Sequence, residues 1–381
     1  MIQLEQVEGF PVSAIPVSPA RSSMGDLDRR SSLVIKVTDR DGATGWGEIW
    51  SNFPPSAAAH RLAILQDLVF PSVAGRRFDG PPALTAWLEA RWRILARHTG
   101  ETGPFENIIA GLDIAAWDLC ARRAGLSLAG HVRAVMTDAD LPDTTAETVA
   151  VYASSPNRDG LGDRIAALMD AGHRAVKLKV GYDAVSDEEV VALCREVGGP
   201  DLNIMVDANQ SWSLADAREM IPRLDAHRLT FVEEPVDVGL PDADLAGLAK
   251  AVRPPLAFGE NVRGMAALEQ GLTAGYLGVL QPSVTKIGGV TGWMALAHRA
   301  RVAGIGLCPH YMGAAPGLAV TMQLLSLFPD AGPMELDAND NPLRTALSDM
   351  DLSVRNGRVR VPDGPGIGFE PDAARLRAMV A

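Results

Sequence analysis

Cysteine is scarce in this chain: three in 381 residues, Cys120, Cys194 and Cys308, widely spaced and without a Cys-x-x-Cys pair. That excludes a disulfide framework and a structural zinc knuckle. Long apolar runs are also missing. The nearest, Gly317–Phe328, carries Thr321, Gln323 and Ser326 and is too short to span a bilayer. The N-terminus, Met-Ile-Gln-Leu-Glu, lacks the basic flank and apolar core of a signal peptide and reads as the start of a strand, so a cytoplasmic location is expected. There is no basic excess: the formal net charge is −12. Such a surface repels nucleic acid and anionic membrane, and neither is expected as a partner. A small anionic substrate stays open, because a metal or a lysine pair reverses the field inside a cleft. Neither GxGxxG nor GxxxxGK[ST] occurs, which argues against a doubly wound sheet with a phosphate turn.

What is present is an ordinary globular balance, 47% hydrophobic and 22% charged, in a chain long enough for one large domain and a smaller one. Ser31–Thr38 and Thr44–Ile49 read as two strands joined at Asp39–Gly42, and helical patterns follow at His60–Val73, Leu84–His98 and Glu106–Arg123. This predicts a small α+β domain over residues 1–130. From residue 148 a regular alternation begins. Strands are expected at Thr148–Tyr152, Ala175–Val180, Leu202–Asp207, Leu229–Glu233, Leu256–Glu260, Leu277–Leu280, Ile305–Cys308 and Met334–Leu336. Amphipathic segments such as Asp163–Ala171, Asp187–Val197, Leu214–Leu224 and Val290–Val302 lie between them. Eight strands alternating with helices point to an α/β fold with a closed parallel barrel over residues 131–351. The turn-rich stretch Val361–Phe369, within the tail 352–381, is expected to return to the first domain.

Asp207, Glu233 and Glu260 end three successive predicted strands, about 26 residues apart. In a barrel that gathers three carboxylates at the end where active sites lie. Three like charges in a partly buried mouth need a cation, and hard oxygen ligands with no His or Cys beside them suit Mg²⁺. The plainer alternative is that each acid caps the helix that follows it. Lys177 and Lys179, in Ala-Val-Lys-Leu-Lys-Val, share one face of their strand. Mutual repulsion and burial are expected to lower a lysine pKa toward that of a general base. A solvated edge strand and Schiff-base chemistry are the alternatives. His310, just after Ile305–Cys308, and Glu335, on the last strand, sit at the same end of the barrel; a packed core histidine is the plain reading of the former.

These residues resemble the enolase superfamily, in particular its mandelate racemase-like branch within the mandelate racemase / muconate lactonizing enzyme family. The resemblance runs through Ile109–Asp118, Lys177-x-Lys179, Val206–Asn209, Val232–Pro235, Gly259–Asn261, Lys286–Gly292, His310 and Glu335. It implies a modified (β/α)7β barrel under a capping domain built from both chain ends. It implies Mg²⁺ on Asp207, Glu233 and Glu260, holding a substrate carboxylate. Lys179 then resembles the base on one substrate face, with Lys177 neutralising carboxylate charge, and His310 the acid or base on the other. Glu335 is implied to hydrogen-bond a carboxylate oxygen as an enediolate forms, Asn209 to stand near the metal and Glu234 behind it. Barrels of this kind commonly associate, so a homo-oligomer is expected.

One position departs from the pattern. Where that branch usually has an aspartate paired to the histidine, this chain has Ser283. A serine can orient an imidazole but does not stabilise imidazolium as a carboxylate does. The departure favours His310 as a proton donor over a second base. The expected activity is therefore Mg²⁺-dependent dehydration of an acid sugar to a 2-keto-3-deoxy acid, with a racemase, epimerase or lactone cycloisomerase as the alternative. Arg21–Arg30 and Trp50–Pro54 are expected over the mouth, with Arg21, Ser22, Ser23 or Trp50 reaching the distal end of a substrate.

Overall fold

The computed structural model describes residues 1–22, 25–137, 141–182, 184–262 and 264–380, and their side chains except those of 20–22, 25–27 and 184. Ser23 and the side chains of Arg21 and Ser22 therefore lie outside what is described.

An antiparallel sheet of β1 (Leu4–Ala14), β4 (Arg30–Asp39) and β5 (Thr44–Ile49) opens the chain in the order β1-β4-β5, beside a short hairpin of β2 (Ala20–Ser22) and β3 (Gly25–Leu27). The β4–β5 turn closes because the Asp39 carboxylate accepts from the amides of Asp41 and Ala43, with Gly42 at φ 83°. β1 reaches well beyond the start seen in the sequence. Its Pro11 lies opposite Leu33 and is tolerated because β1 is an edge strand of this sheet, bridged on its outer side at Val12 by Val380. Helices α1 (Ala57–Ile64), α2 (Pro81–Thr99), α3 (Thr102–Arg123) and α4 (Leu128–Val135) follow. The expected helix His60–Val73 changes character after Ile64, passing through a π turn at Leu65–Val69 and a 3-10 turn at Phe70–Ser72; Pro71 has no amide to continue an α ladder.

α3 is buried along most of its length because it runs between this sheet and the barrel. Gly45 and Gly47 of β5 permit the approach: a Cβ at either would stand 2.2 Å from a carbonyl of α3, that of Ala115 or of Gly111. Two aspartates of α3 pin it to its surroundings. Asp113 accepts from Thr85, from the Thr291 hydroxyl and from the Thr291 amide. Asp118 accepts from the amides of Trp46 and Ile367 and pairs with Arg122.

The barrel strands are β6 (Thr148–Ser154), β7 (Ala175–Lys179), β8 (Asn203–Asp207), β9 (Leu229–Glu233), β10 (Leu256–Phe258), β11 (Val279–Leu280), β12 (Gly306–Leu307) and β13 (Met334–Asp337). Between them run α5 (Leu161–Asp170), α6 (Ala184–Gly198), α7 (Leu214–Asp225), α8 (Asp242–Ala251), α9 (Met265–Ala274), α10 (Gly289–Val302) and α11 (Ala315–Leu325). The strands are parallel, in the order β12-β11-β10-β9-β8-β7-β6-β13, and the Glu335 amide closes the ring on the Pro309 carbonyl at 3.0 Å. Seven β/α units and a last strand make a (β/α)7β barrel. Its interior is filled by Tyr152, Ala175, Met205, Phe231, Ala257, Val279 and Cys308. The apolar stretch Gly317–Phe328 is mostly α11, wholly buried, and no described helix is long and apolar enough to cross a membrane.

After α12 (Pro342–Thr345), β14 (Arg358–Arg360) pairs antiparallel with β6, and α13 (Ala373–Ala378) brings the chain back to the first sheet, where the Ser13 amide donates to Met379. The tail thus lies on both barrel and first sheet.

Candidate active site

The alternation of β7 sends Lys177 and Lys179 into the barrel mouth while Val176 and Leu178 pack in the surrounding core. Lys177 is fully buried. Its ammonium lies 2.6 Å from Glu233 Oε2, 2.8 Å from Glu335 Oε1 and 3.7 Å from Asp207 Oδ2, with the Tyr152 ring centroid 5.2 Å away. Lys179 keeps 17% of its side chain exposed and donates to Asp207 Oδ2 at 2.5 Å. On the far side, Glu260 Oε1 is shared by Lys286 Nζ at 2.7 Å and His310 Nε2 at 3.3 Å, and the same imidazole nitrogen lies 3.4 Å from Glu335 Oε2. Lys177, Lys179, Asp207, Glu233, Glu260, His310 and Glu335 therefore meet in one cluster.

The turns beyond the strands bring the remaining groups in. Asn209 and Gln210 after β8 and Glu234 after β9 have φ of 45°, 63° and 35°, a region costly for side chains other than Asn. Hydrogen bonds fix them there. The Asn209 amide donates to Asp207 Oδ1 at 2.8 Å, and the Glu234 carboxylate accepts from the Asn261 amide, Asn261 Nδ2 and Gln210 Nε2. Gly259, at φ 146°, lets the chain before Glu260 pass the Gln281 backbone, where a Cβ would stand 2.8 Å away.

Charge explains how each group titrates. Burial, with Asp207 and Glu335 adding to it, pushes Glu233 well above the usual carboxylate range. Burial and the neighbouring Glu260 push Glu234 up to about 7. Burial acts on Glu335 too, but the Lys177 ammonium and His310 overcome it and hold it down at about 2. Glu260 is likewise held low by His310 and Lys286 against its burial. The two lysines of β7 depart from expectation. Burial does work to lower them, yet Glu233 and Glu335 raise Lys177, and Asp207 raises Lys179, above the ordinary value. Their mutual repulsion is outweighed because each faces a carboxylate at hydrogen-bond distance.

Ser283 does not take up the orienting role open to it. Ser283 Oγ and His310 Nδ1 are both buried without a hydrogen-bond partner. Burial holds the imidazole below its ordinary value. A depressed pKa makes the protonated ring a stronger donor and a scarcer one.

Sequence reasoning missed four members of the site. Gln281 Nε2 donates to Glu233 Oε2 at 2.6 Å, Ser154 Oγ to Glu335 Oε1 at 2.5 Å, and Asn261 and Lys286 grip Glu234 and Glu260 as described above. Gln281, Asn261 and Ser154 stand at the ends of predicted strands, which was the available signal. Lys286 lay inside a recognised stretch without a role.

Among the described residues, no three acidic, histidine or cysteine side chains are already drawn together as a ligand set. The donor chemistry nonetheless fits a hard dication. Asp207, Glu233, Glu234, Glu260 and Glu335 gather five carboxyl groups around the three ammonium groups of Lys177, Lys179 and Lys286, more oxygen donors than the ammonium groups engage. Glu233 Oε1 is buried with no hydrogen-bond partner.

A capped (β/α)7β barrel with paired lysines facing acids from successive strands defines the enolase superfamily class. Residues 7–131 match the profile of the mandelate racemase / muconate lactonizing enzyme N-terminal domain, and residues 160–375 match the enolase C-terminal domain-like profile. The chain belongs to the mandelate racemase / muconate lactonizing enzyme family. It is 30% identical to a D-galactarolactone cycloisomerase of Agrobacterium fabrum, over 93% of this chain and 92% of that protein. It is 27% identical to an L-talarate/galactarate dehydratase of Salmonella typhimurium, over 93% and 85%. A solved mandelate racemase/muconate lactonizing enzyme from Bordetella bronchiseptica RB50 superposes with a TM-score of 0.88 at 39% identity, covering 99% of both chains.

Proposed function

We propose that this enzyme removes the proton α to the carboxylate of an acid sugar and expels the oxygen on the β carbon, the leading case being dehydration to a 2-keto-3-deoxy acid. The observation that carries the reading is the placement of Lys179 on β7 and His310 after β12, on different sides of one ring of strands, with five carboxylates between and around them. Asp207, Glu233 and Glu260 would hold Mg²⁺. Bound there, it would supply positive charge to offset the second negative charge that α-proton loss places on a carboxylate.

The chain's own residues supply the rest. Lys179, in its neutral form, accepts the α-proton on Nζ. Lys177, wedged between Glu233 and Glu335, presents a fixed positive charge to the substrate carboxylate. His310 donates from Nε2 to the departing β-oxygen. Glu335, held as a carboxylate by Lys177, Ser154 and the Tyr311 amide, keeps Lys177 and His310 in place. The product enol then tautomerises to the keto acid, so atoms balance with the loss of one water.

A second reading is supported by the 30% identity to a lactone cycloisomerase: the β-oxygen is the ring oxygen of a lactone, and its departure opens the ring without loss of water. One experiment addresses both. Acid sugars and their lactones are incubated with the enzyme and Mg²⁺ in D2O and followed by NMR and a 2-keto-acid assay. A keto acid from a free acid sugar supports dehydration, and one from a lactone alone supports the second reading. Neither product and no α-deuteration across both sets would contradict the proposal.

A further inference from the structure

Lys286 follows β11 in a loop, three residues before α10, and is 1% exposed. Burying an ammonium is costly unless it is well partnered. Within the barrel its Nζ donates to Glu260 Oε1 at 2.7 Å and to Asn261 Oδ1 at 3.4 Å. His310 and Glu234 of the barrel also feel its charge, and further partners come from the N-terminal unit. Nζ lies 4.6 Å from the ring centroid of Trp50, the residue after β5, and the Lys286 carbonyl accepts from Asn107 Nδ2 of α3 at 3.3 Å. Arg61 of α1 ties these two together. Its guanidinium lies 5.5 Å from the Trp50 centroid and its Nε donates to Asn107 Oδ1 at 3.1 Å. Backbone and side chain of Lys286 are thus both held from the N-terminal unit, and the side chain ends on a carboxylate of the barrel site.

We infer that Lys286 is a positioning residue through which Trp50 sets the availability of Glu260 to a divalent cation. The inference rests on the reading of Glu260 as a cation ligand. The ring face holds the ammonium in one place while it donates to Glu260, and an ammonium without that face is free to swing with the carboxylate, turning it away from Asp207 and Glu233 and competing with a dication. Trp50, expected from the sequence to reach the distal end of a substrate, is on this account engaged by two cations of the protein instead.

Trp50→Leu provides the test because it changes no charge, so an altered cation affinity reports geometry. The Mg²⁺ dissociation constant of the EDTA-stripped full-length enzyme is measured by titration calorimetry for wild type, Trp50→Leu, Lys286→Met and the double variant. Trp50→Leu is expected to weaken Mg²⁺ binding by about tenfold, the range open to a desolvated cation–π contact. The same substitution made on Lys286→Met is expected to add nothing. Unchanged binding in Trp50→Leu, or an equal loss in the Lys286→Met background, overturns the inference. Should Trp50→Leu fail to fold, Trp50→Phe is judged against the same background by the same criterion, with a loss of about threefold expected from the smaller ring. A wild-type enzyme that binds no Mg²⁺ would instead refute the reading of Glu260 itself.

Discussion

Asp113 offers a prediction whose sign and size both come from the structure. It is fully buried on α3, and burial pushes its carboxyl up to about 6, against the hydrogen bonds from Thr291 and Thr85 that favour the anion. An acid raised on folding binds its proton more tightly in the native state. Its contribution is therefore fully present below the unfolded value of 3.8 and is lost as pH rises through about 6. A shift of about two units corresponds to roughly 3 kcal/mol in full, of which about 2 kcal/mol falls between about pH 4.5 and about pH 7.5. Asp113→Asn removes the titration, and the two threonine hydroxyls can turn to accept from the amide. Urea denaturation of both proteins at the two pH values isolates this residue, because every other titrating group cancels in the comparison. The wild type is expected to lose about 2 kcal/mol relative to Asp113→Asn on going to the higher pH. A relative stability that stays flat, or that moves the other way, would refute the assignment of a strained buried carboxylate at this junction.

Lys177→Met leaves Glu233 and Glu335 without their shared ammonium and is expected to destabilise the fold by about 3–5 kcal/mol in urea, far more than an exposed lysine would. Lys179→Met removes the proposed base from a partly exposed position. It is expected to slow α-proton exchange in D2O by about 10²–10⁴-fold, read by NMR, while leaving the circular dichroism spectrum unchanged. Gly47→Ala drives a methyl to within 2.2 Å of the Gly111 carbonyl and is expected to cost about 1–3 kcal/mol, seen as a lowered urea midpoint, by levering α3 off β5.

The barrel was legible because each of its strands carries a short apolar run and each helix a one-sided pattern, so type and order could be read even where ends could not. β10, β11 and β12 prove shorter than their apolar runs, since only two or three residues of each join the ladder before the chain turns into the mouth. The acids at the strand ends were legible for the same reason: a residue after a strand in a barrel has one place to go. Titration was not. The sequence shows Lys177 and Lys179 as neighbours, and only the folded chain shows that each meets a carboxylate before it meets the other. Lys286 was hidden because its partners, Trp50, Asn107 and Glu260, come from three distant parts of the chain. Asp113 and Asp118 lay inside a stretch that carried the resemblance, without a role, and their work lies in what reaches them from α10, β5 and the tail.

Crystals grown with Mn²⁺ in place of Mg²⁺, measured at a wavelength where manganese scatters anomalously, bear most directly on the gathering of the strand-end acids around one cation. The expected result is a single strong anomalous peak bounded by the carboxylates of Asp207, Glu233 and Glu260, with Lys179 Nζ released from Asp207 and turned toward the space beside it. A peak elsewhere, or none in crystals of the folded enzyme at millimolar Mn²⁺, would contradict it.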